Sequence, residues 1–356
     1  NHEIIRSILQ KEKPDALWII TDPGFFGWLW EIENEIRAQI PMIYYHVWDN
    51  FPSPHFNGIF YRSTDEVVCI SKVTHKILQD VAPEVSSCYL PHAVNPEFFH
   101  VAKTPEEKSH VETVRNRILE STINHKNPNK KIFIWNNRNA RRKQSGTLIW
   151  WFKEFLDEVG HDKATLLMHT DARDQHGQDL PHLIEHLGVN DGQILLSTQK
   201  VEPQHLANMY NAADFTINIS DAEGFGLSTL ESLSCGTPII VNMTGGLQEQ
   251  VTNGKEWFGY GIQPTSKTVI GSLSVPYIYE DRISQEDFIK SLKAAINIRP
   301  KVYQKMSSSG LKHVKENYNF ENFSKKWIET MDNIIEKHGS WENRKGYERW
   351  HLLEVA

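Results

Sequence analysis

At 356 residues, 39% of them hydrophobic and 23% charged, the chain has the composition of a globular protein and the length of two ordinary domains. Its apolar runs are far shorter than the roughly 18 residues that a membrane-spanning helix needs, and its three cysteines are too widely spaced for a disulfide framework or a zinc cluster. The net charge of −7 falls mainly on residues 1–100, with 13 acidic against 7 basic side chains, which disfavours nucleic acid as a partner.

Short β-rich runs alternate with amphipathic helical stretches, a pattern that predicts parallel sheets flanked by helices. In the first hundred residues it predicts strands at 16–21, 41–46, 66–70 and 85–90, and helices at 28–39 and 72–81. Pro91 and Pro96 break the pattern, and the polar stretch 103–130 is expected to connect two domains. Because the chain opens on Asn1, already within the alternation, we expect its first strands to be missing.

A second α/β series follows. Its strands are predicted at 131–135, 165–169, 193–196, 215–219 and 238–241. From Ser284 onward the pattern predicts helices only, and Ser284 with Asp287 is expected to form a capping box. The predicted fold class is therefore α/β, with two Rossmann-like domains in series and a helical tail at the C-terminus.

The most informative stretch, 215–241, reads as a buried strand, a Gly-containing turn, a helix, a Gly-Thr-Pro turn and another strand. The helix is predicted to start near Leu227, so the N–H groups of Gly226, Leu227 and Ser228 lack helical partners and face the turn. This is a potential anion site, which the helix dipole strengthens. Glu223 lies just before it, and Glu231 lies inside the helix, where its carboxylate could accept two hydroxyls of a ribose.

Two other interpretations of this stretch are weaker. Gly224-x-Gly226-x-x-Thr229 resembles a dinucleotide fingerprint, but the third Gly is missing and no acid follows at the end of the next strand. An oxidoreductase is therefore disfavoured. The plainer alternative is an ordinary strand–turn–helix with two glutamates on its surface.

The stretch closely resembles the sugar-nucleotide signature of retaining GT-B glycosyltransferases of family 4, the glycosyl transferases group 1. That signature has two glutamates separated by seven residues, with Gly-Phe-Gly between them and Cys-Gly-Thr-Pro after them, and Glu223 and Glu231 match it. The resemblance implies that Glu223 contacts the donor sugar and Glu231 the ribose. It also implies that the backbone between them holds the diphosphate, and this donor-binding segment comprises Gly224, Phe225, Gly226, Leu227 and Ser228.

Arg138 and Lys143 follow the strand at 131–135 at the spacing that the same family uses for a diphosphate-binding Arg and Lys. Fixed cations can stabilise the charge that develops on a departing nucleoside diphosphate without a metal ion. Asn137 stands where the family usually has Gly. Arg141 and Arg142 lie in the same stretch and are expected to be solvated surface residues.

In the first domain, His46 ends a predicted strand, and the carboxyl ends of parallel strands face the ligand crevice of an open α/β sheet. Family members often carry a His there that contacts the donor sugar. The resemblance further suggests Trp48 and Asp49 as acceptor-side contacts, and Val201 lies in the region that usually cradles the base. Looser matches to family features are found at Ser71, at the turn 91–95 and at Gly245-Gly246, where Glu249 stands near the family's helix-opening acid.

The resemblance implies a GT-B fold, in which two Rossmann-like domains enclose a donor-binding cleft. The expected division is a partial acceptor-side domain at 1–97, a connecting segment at 98–130 and a nucleotide-sugar-binding domain at 131–340. In GT-B enzymes the chain end crosses back to the first domain, so residues 341–356 are expected to pack there through Trp341, Tyr347 and Trp350.

The implied function is transfer of a hexose from a UDP- or GDP-linked sugar to an acceptor hydroxyl, with retention of configuration. The absence of Asp-x-Asp predicts a metal-independent enzyme without a cofactor. A non-catalytic sugar-nucleotide binder and an epimerase on the same fold remain alternatives. The acceptor could be a glycan, a lipid-linked sugar, a protein or, less favoured by the acidic first domain, modified DNA. A cytoplasmic location is expected, and peripheral attachment to a membrane stays open.

Overall fold

The computed structural model describes residues 1–351. The chain divides into two compact units. Unit 1 comprises Asn1–His92, Val269–Tyr279 and the chain from Glu321 onward, and unit 2 comprises Ala93–Thr268 and Glu280–Phe320. Residues 352–356 of the predicted C-terminal segment lie outside the described residues.

The elements alternate between strands and helices along most of the chain. The strands are β1 Leu17–Thr21, β2 Met42–His46, β3 Glu66–Cys69, β4 Ser87–Tyr89, β5 Lys131–Asn136, β6 Ala164–His169, β7 Ile194–Ser197, β8 Phe215–Asn218, β9 Ile239–Asn242, β10 Gly259–Ile262, β11 Ser266–Ile270 and β12 Ile278–Arg282. The helices are α1 His2–Glu12, α2 Gly27–Trp30, α3 Glu33–Arg37, α4 Gly58–Arg62, α5 Lys72–Val81, α6 Pro105–Glu120, α7 Ser145–Val159, α8 Leu180–His186, α9 Pro203–Ala212, α10 Leu227–Ser234, α11 Leu247–Val251, α12 Gln285–Ile296, α13 Pro300–Asn317 and α14 Phe320–His338.

The strands of unit 1 form a parallel sheet in the order β1-β2-β3-β4. All residues of β2 and β3 are buried, as expected for parallel strands that are covered on both faces. The helix expected at 28–39 is interrupted, because Ile32 adopts a non-helical conformation (φ −114°, ψ 20°) between α2 and α3. With this break, Leu29, Trp30 and Ile36 all reach the core of the unit.

Unit 2 contains a second parallel sheet, in the order β10-β9-β8-β5-β6-β7. The chain builds outward from β5 through β6 and β7, then returns to the other side of β5 with β8. The carboxyl ends of β5 and β8 therefore lie next to each other where the strand order reverses, which is the usual ligand position in an open α/β sheet. Large apolar side chains, including Phe133, Phe152 and Phe215, fill the core beneath it.

Strands β10, β11 and β12 were not expected from the sequence. β10 contains Gly259 and Gly261, and glycine lowers strand propensity. It is required at 259, because a Cβ there would lie 1.8 Å from the carbonyl oxygen of Ile239. β11 and β12 pair with each other outside both parallel sheets.

The units do not follow the expected domain boundaries. Helix α6, expected as part of a connector, packs in unit 2 against α9, with Ile118 in a core cluster that includes Tyr210. The sequence places helix α14 in the second domain, but the chain from Glu321 onward belongs to unit 1. The physical reason is aromatic packing, since the Trp327 ring lies 5.5 Å from that of Trp18 and 5.0 Å from that of Tyr45.

The segment after α14 lies against unit 1. Trp341 packs on the core of that unit. The Tyr347 hydroxyl donates to Asn34 Oδ1 at 2.8 Å, and Trp350 Nε1 donates to Glu33 at 3.1 Å. These contacts involve the three aromatic residues that the sequence suggested as anchors.

Candidate functional site

Two loops meet at the switch point of unit 2. The cation loop, residues 137–144, follows β5, and the carboxylate loop, residues 219–226, follows β8. Between them they carry most of the charged residues that the sequence singled out. Their contacts with each other define the candidate site.

The carboxylate loop is pressed against the start of α11. Gly246 N donates to the carbonyl oxygen of Glu223 at 2.9 Å, and a Cβ on Gly245 would lie 1.9 Å from that same oxygen. Gln250, which is buried, donates to the carbonyl of Phe225 at 2.7 Å. The glycine pair thus permits a close approach of the two backbones, and contacts with the start of α11 fix the carboxylate loop on that side.

Helix α10 begins at Leu227, where the sequence predicted its start, and Gly226 is its N-cap with φ 92°. A Gly cap places no side chain over the helix end. By helix geometry, the first N–H groups, including those of Leu227 and Ser228, have no intrahelical acceptor. This end of α10 can therefore receive an anion.

Lys143 and Glu223 form a buried ion pair that joins the two loops. Their side chains are 10% and 12% exposed. Burial alone would raise the pKa of Glu223, but the charges of Lys143 and Arg142 outweigh it and hold that pKa below its usual range. Glu223 is therefore a carboxylate at neutral pH, with a cation fixed against it.

Glu231 ends a chain of hydrogen bonds within unit 2. Asn136 Nδ2 donates to the Tyr210 hydroxyl at 2.8 Å, and that hydroxyl donates to Glu231 Oε2 at 2.7 Å. Burial raises the pKa of Glu231 to about 7, although the Tyr210 hydrogen bond opposes the shift. The carboxylate is thus oriented by protein groups and titrates near physiological pH.

Arg138 forms its ion pair with Asp174, outside the carboxylate loop. Its guanidinium binds Asp174 through Nε at 2.6 Å and Nη2 at 3.1 Å, and its side chain is 58% exposed. The neighbouring Asn137 has a buried Nδ2 that finds no hydrogen-bond partner among residues 1–351. A ligand acceptor at this point would satisfy that donor.

Arg141 and Arg142 are exposed, as expected for surface residues, but each also binds a protein group and neither is merely solvated. Arg141 binds both carboxylate oxygens of the buried Glu280, at 2.7 and 2.6 Å. Arg142 donates through Nη1 to the carbonyl oxygen of Ala222 in the carboxylate loop. Both guanidinium groups are held by the protein because the cation loop packs between β12 and the carboxylate loop.

Glu280, Asp221, Gln144 and Tyr210 were not singled out from the sequence. Glu280 lies on β12, a strand that the sequence pattern did not indicate. Asp221 and Gln144 are next to motif residues, and that proximity was the available signal. Tyr210 lies in α9, in which the sequence pattern carried no signal of a site.

His46 lies in unit 1 at the end of β2 and is fully buried. Its Nε2 lies 2.9 Å from the Tyr61 hydroxyl and its Nδ1 lies 3.8 Å from the Cys69 sulfur. Burial lowers the pKa of His46 to about 3, so the ring is neutral at physiological pH. The described contacts occupy both ring nitrogens, and direct contact with a donor sugar stays a prediction.

The remaining predicted residues lie near strand and helix ends. Trp48 is buried and donates from Nε1 to the carbonyl of Asn50 at 3.0 Å, and Asp49 beside it is half-buried. Ser71 is buried and caps α5 through a capping box with Thr74. Val201, before α9, is half-buried against the core cluster around Tyr210.

The described residues contain neither a metal-binding cluster nor a helix that could span a membrane. Within residues 1–351, no group of three or more His, Cys, Asp or Glu side chains is arranged to hold a metal ion. Over the same residues, no helix is both long and apolar enough to cross a membrane.

Similar sequences come from glycosyltransferases. The alpha-monoglucosyldiacylglycerol synthase of Streptococcus pneumoniae (strain ATCC BAA-255 / R6) is 25% identical over 231 residues, 64% of this chain and 49% of that protein. The D-inositol 3-phosphate glycosyltransferase of Frankia alni is 41% identical over 76 residues, 21% of this chain and 18% of that protein. The chain thus spans about half the length, or less, of these relatives.

Solved structures share the fold. Sucrose-phosphate synthase from Thermosynechococcus elongatus has a TM-score of 0.69 at 16% identity, covering 94% of this chain and 77% of that one. Anabaena Alr3699/HepE in complex with UDP and glucose has a TM-score of 0.68 at 14% identity, covering 93% and 82%. The α/β fold with parallel sheets and C-terminal helices thus matches GT-B structures. The profile of the family described as "Glycosyl transferases group 1" matches residues 117–295, half of the chain, so the chain belongs to that family.

Proposed function

We propose that this chain transfers a hexose from a nucleoside diphosphate sugar to an acceptor hydroxyl, with retention of configuration and without a metal ion. The observation that carries the proposal is the buried Lys143–Glu223 pair, which lies at the switch point of the unit 2 sheet and joins the cation loop to the carboxylate loop that precedes α10. A fixed cation and an open helix end together suit a diphosphate.

In the proposed complex, the diphosphate accepts hydrogen bonds from the first N–H groups of α10 and from Asn137 Nδ2. Lys143 stabilises the charge that grows on the leaving diphosphate. Glu223 then positions the sugar, and Glu231 accepts hydrogen bonds from the ribose. The leaving phosphate takes the proton of the attacking hydroxyl on the same face, which retains the configuration.

UDP-glucose is the first donor to test, because the Anabaena HepE structures contain UDP and glucose or UDP-glucose. The names of the relatives point to different molecules, a monoglucosyldiacylglycerol as the product in one case and D-inositol 3-phosphate in another. All four acceptor classes raised by the sequence therefore remain open. An intact ion pair and an oriented Glu231 favour an enzyme over a non-catalytic binder.

The deciding experiment is incubation of the purified chain with labelled UDP- and GDP-hexoses, with and without EDTA, followed by detection of nucleoside diphosphate and of the sugar anomer. We expect slow release of UDP or GDP, unaffected by EDTA, with a retained anomer. Binding without release would indicate the non-catalytic alternative, and a new nucleotide sugar would indicate an epimerase. Loss of activity in EDTA that Mn²⁺ restores would contradict metal independence.

Replacing Glu231 with alanine is expected to weaken UDP or GDP binding by about 1.5–3 kcal/mol, the value of hydrogen bonds to a charged group. Since burial raises the pKa of Glu231 to about 7, nucleotide affinity of the parent should fall as the pH decreases from 8 to 6. Calorimetric titration at several pH values measures both effects. Glu185→Ala, at an exposed position of α8, is the control; equal affinity in Glu231→Ala and the parent would refute the ribose assignment.

A further inference from the structure

Hydrogen bonds and an ion pair join consecutive residues of the cation loop to consecutive residues of the carboxylate loop. Asp221 makes several of these contacts. Asp221 N donates to the carbonyl oxygen of Arg142 at 2.8 Å. Gln144 Nε2 donates to Asp221 Oδ2 at 2.5 Å. The next contacts along the two loops are Arg142 with Ala222 and Lys143 with Glu223. The position of the buried ion pair therefore depends on the docking that Asp221 begins.

Strand β12 attaches to the same residue from a third direction. Asp281 N donates to the carbonyl oxygen of Asp221 at 2.9 Å, and Arg282 Nη1 lies 3.1 Å from Asp221 Oδ2. Arg282 Nη2 donates to Glu280 at 3.0 Å, and Glu280 in turn holds Arg141. Asp221 thus uses its backbone N–H, its carbonyl and its carboxylate to join three segments of unit 2.

The cation loop needs this support because Gln144 has a left-handed backbone, with φ 57° and ψ 33°. Residues other than glycine are strained in this conformation and keep it only where surrounding contacts enforce it. The Gln144 side chain is fixed by Asp221 on one side and by the Thr147 hydroxyl, at 2.6 Å, on the other. Lys143 is the residue immediately before this strained position, so relaxation of Gln144 would move it.

We propose that Asp221 is a positioning residue for the proposed glycosyl transfer, and that its ionised carboxylate, through Gln144 and Arg282, keeps Lys143 against Glu223. It does not touch the substrate. The inference rests on the proposed function, since the reaction that it supports is the one assigned to the Lys143–Glu223 pair.

Keeping a carboxylate at this position is unfavourable for folding. Asp221 is 2% exposed, and burial raises its pKa to about 7. The hydrogen bond from Gln144 and the charges of Arg282 and Arg141 oppose that shift, whereas Glu280 adds to it. The folded chain therefore binds this proton more tightly than the unfolded chain, so the stability that protonated Asp221 contributes is lost as the pH rises from about 4, the ordinary value for Asp, to about 7.

The test is Asp221→Asn, which keeps the size of the side chain and removes its charge. We expect kcat to fall at least tenfold at pH 8, with the KM for the donor sugar changed less than threefold. In the parent, protonation of Asp221 should contribute to a fall in kcat between pH 8 and pH 6. In Asp221→Asn this contribution is absent, so kcat should fall less steeply over the same range. The melting temperature at pH 8 should be equal to or higher than that of the parent, because a buried charge has been removed.

Asp214→Asn is the matched control. Asp214 is also buried, at the opposite end of β8, and it binds Arg115 and Lys131 at 3.2 and 2.8 Å. This variant should have a lower melting temperature and a parental kcat. A parental kcat in Asp221→Asn would overturn the proposal, and so would a fall in kcat that is accompanied by the lowered melting temperature of the control.

Hydrogen exchange of the backbone amides separates this inference from the proposed function. In Asp221→Asn, amides of residues 141–144 should exchange at least tenfold faster than in the parent, whether or not any donor sugar is turned over. Unchanged exchange there would overturn the positioning role. A parent that binds neither UDP nor GDP, with faster exchange in the variant, would refute the proposed function and leave the positioning of the loop supported.

Discussion

Replacing Lys143 with methionine is expected to reduce kcat by two to three orders of magnitude while weakening UDP or GDP binding much less. Removal of one preformed group that stabilises transition-state charge costs this much in other enzymes, roughly 10²–10³ in kcat. The effect on binding is smaller because the nucleoside is held by other groups, Glu231 among them. Single-turnover release of the nucleoside diphosphate, together with calorimetric titration, measures the two effects separately.

The same substitution should also destabilise unit 2. It leaves Glu223 without its nearest cation, and breaking a buried pair by removing one partner costs about 3–5 kcal/mol. The pKa of Glu223, which Lys143 now helps to hold below its usual range, should rise. Adding Glu223→Gln to Lys143→Met removes the unpaired charge, so the double variant should regain most of the lost stability without regaining activity.

This combination distinguishes a catalytic role of the Lys143–Glu223 pair from a purely structural one. If the pair served only folding, the double variant would recover turnover along with stability. Lys153→Met is the control, because Lys153 pairs with Asp157 on the surface of α7, four residues apart, and contributes little there. A parental kcat in Lys143→Met would show that the diphosphate charge is stabilised elsewhere, with Arg138 the next candidate.

Local patterns predicted much of unit 2 because the relevant signals are contiguous in sequence. The strand at 215–219, the start of α10 at Leu227 and the spacing of Glu223 and Glu231 follow from one stretch of 27 residues, 215–241. Buried parallel strands are recognisable as apolar runs, and Gly226 marks the helix start. The approach of Gly245 and Gly246 to Glu223 is a tertiary contact, but the sequence also indicated the glycine pair.

The contacts that orient the site are long-range and leave no local signal. Arg138 binds Asp174, 36 positions away, and Arg141 binds Glu280, 139 positions away. Neither pair could be inferred from spacing, and the strand that carries Glu280 is rich in polar residues. For the same reason the sequence indicated only that Arg141 is an exposed residue, and not that the buried carboxylate of Glu280 binds it.

In unit 1 the sequence predicted the position of a site residue correctly but not its burial. His46 was singled out because it ends a parallel strand, and it does end β2. The sequence could not show that Tyr61 and Cys69, from elements that follow, enclose its ring. The position of a residue at the end of a parallel strand predicts that it lies near the edge of the sheet where ligands bind. Whether its side chain is exposed there depends on the residues that pack over it.

The segment after α14 is attached to unit 1 through a buried arginine. Arg344 has a side chain that is 7% exposed, and its Nη2 lies 2.7 Å from Asp65 Oδ1. Its Nε donates to the carbonyl of Arg37 at 2.7 Å, and Arg37 also binds Asp65. The Tyr347 ring lies over both guanidinium groups, at 4.6 Å from Arg37 and 5.5 Å from Arg344.

Arg344→Met should therefore lower the free energy of unfolding of unit 1 by about 3 kcal/mol, because it removes one partner of a nearly inaccessible carboxylate and leaves a backbone acceptor unpaired. The aliphatic stem is kept, so the loss comes from the charged group. Native-state hydrogen exchange of the unit 1 backbone amides in increasing denaturant measures the change. Arg349→Met, at an exposed position of the same segment, should stay within about 0.5 kcal/mol of the parent. Equal stability of the two variants would show that residues 339–350 rest on unit 1 without stabilising it, whereas a loss confined to Arg344→Met would show that this segment is part of its folded core.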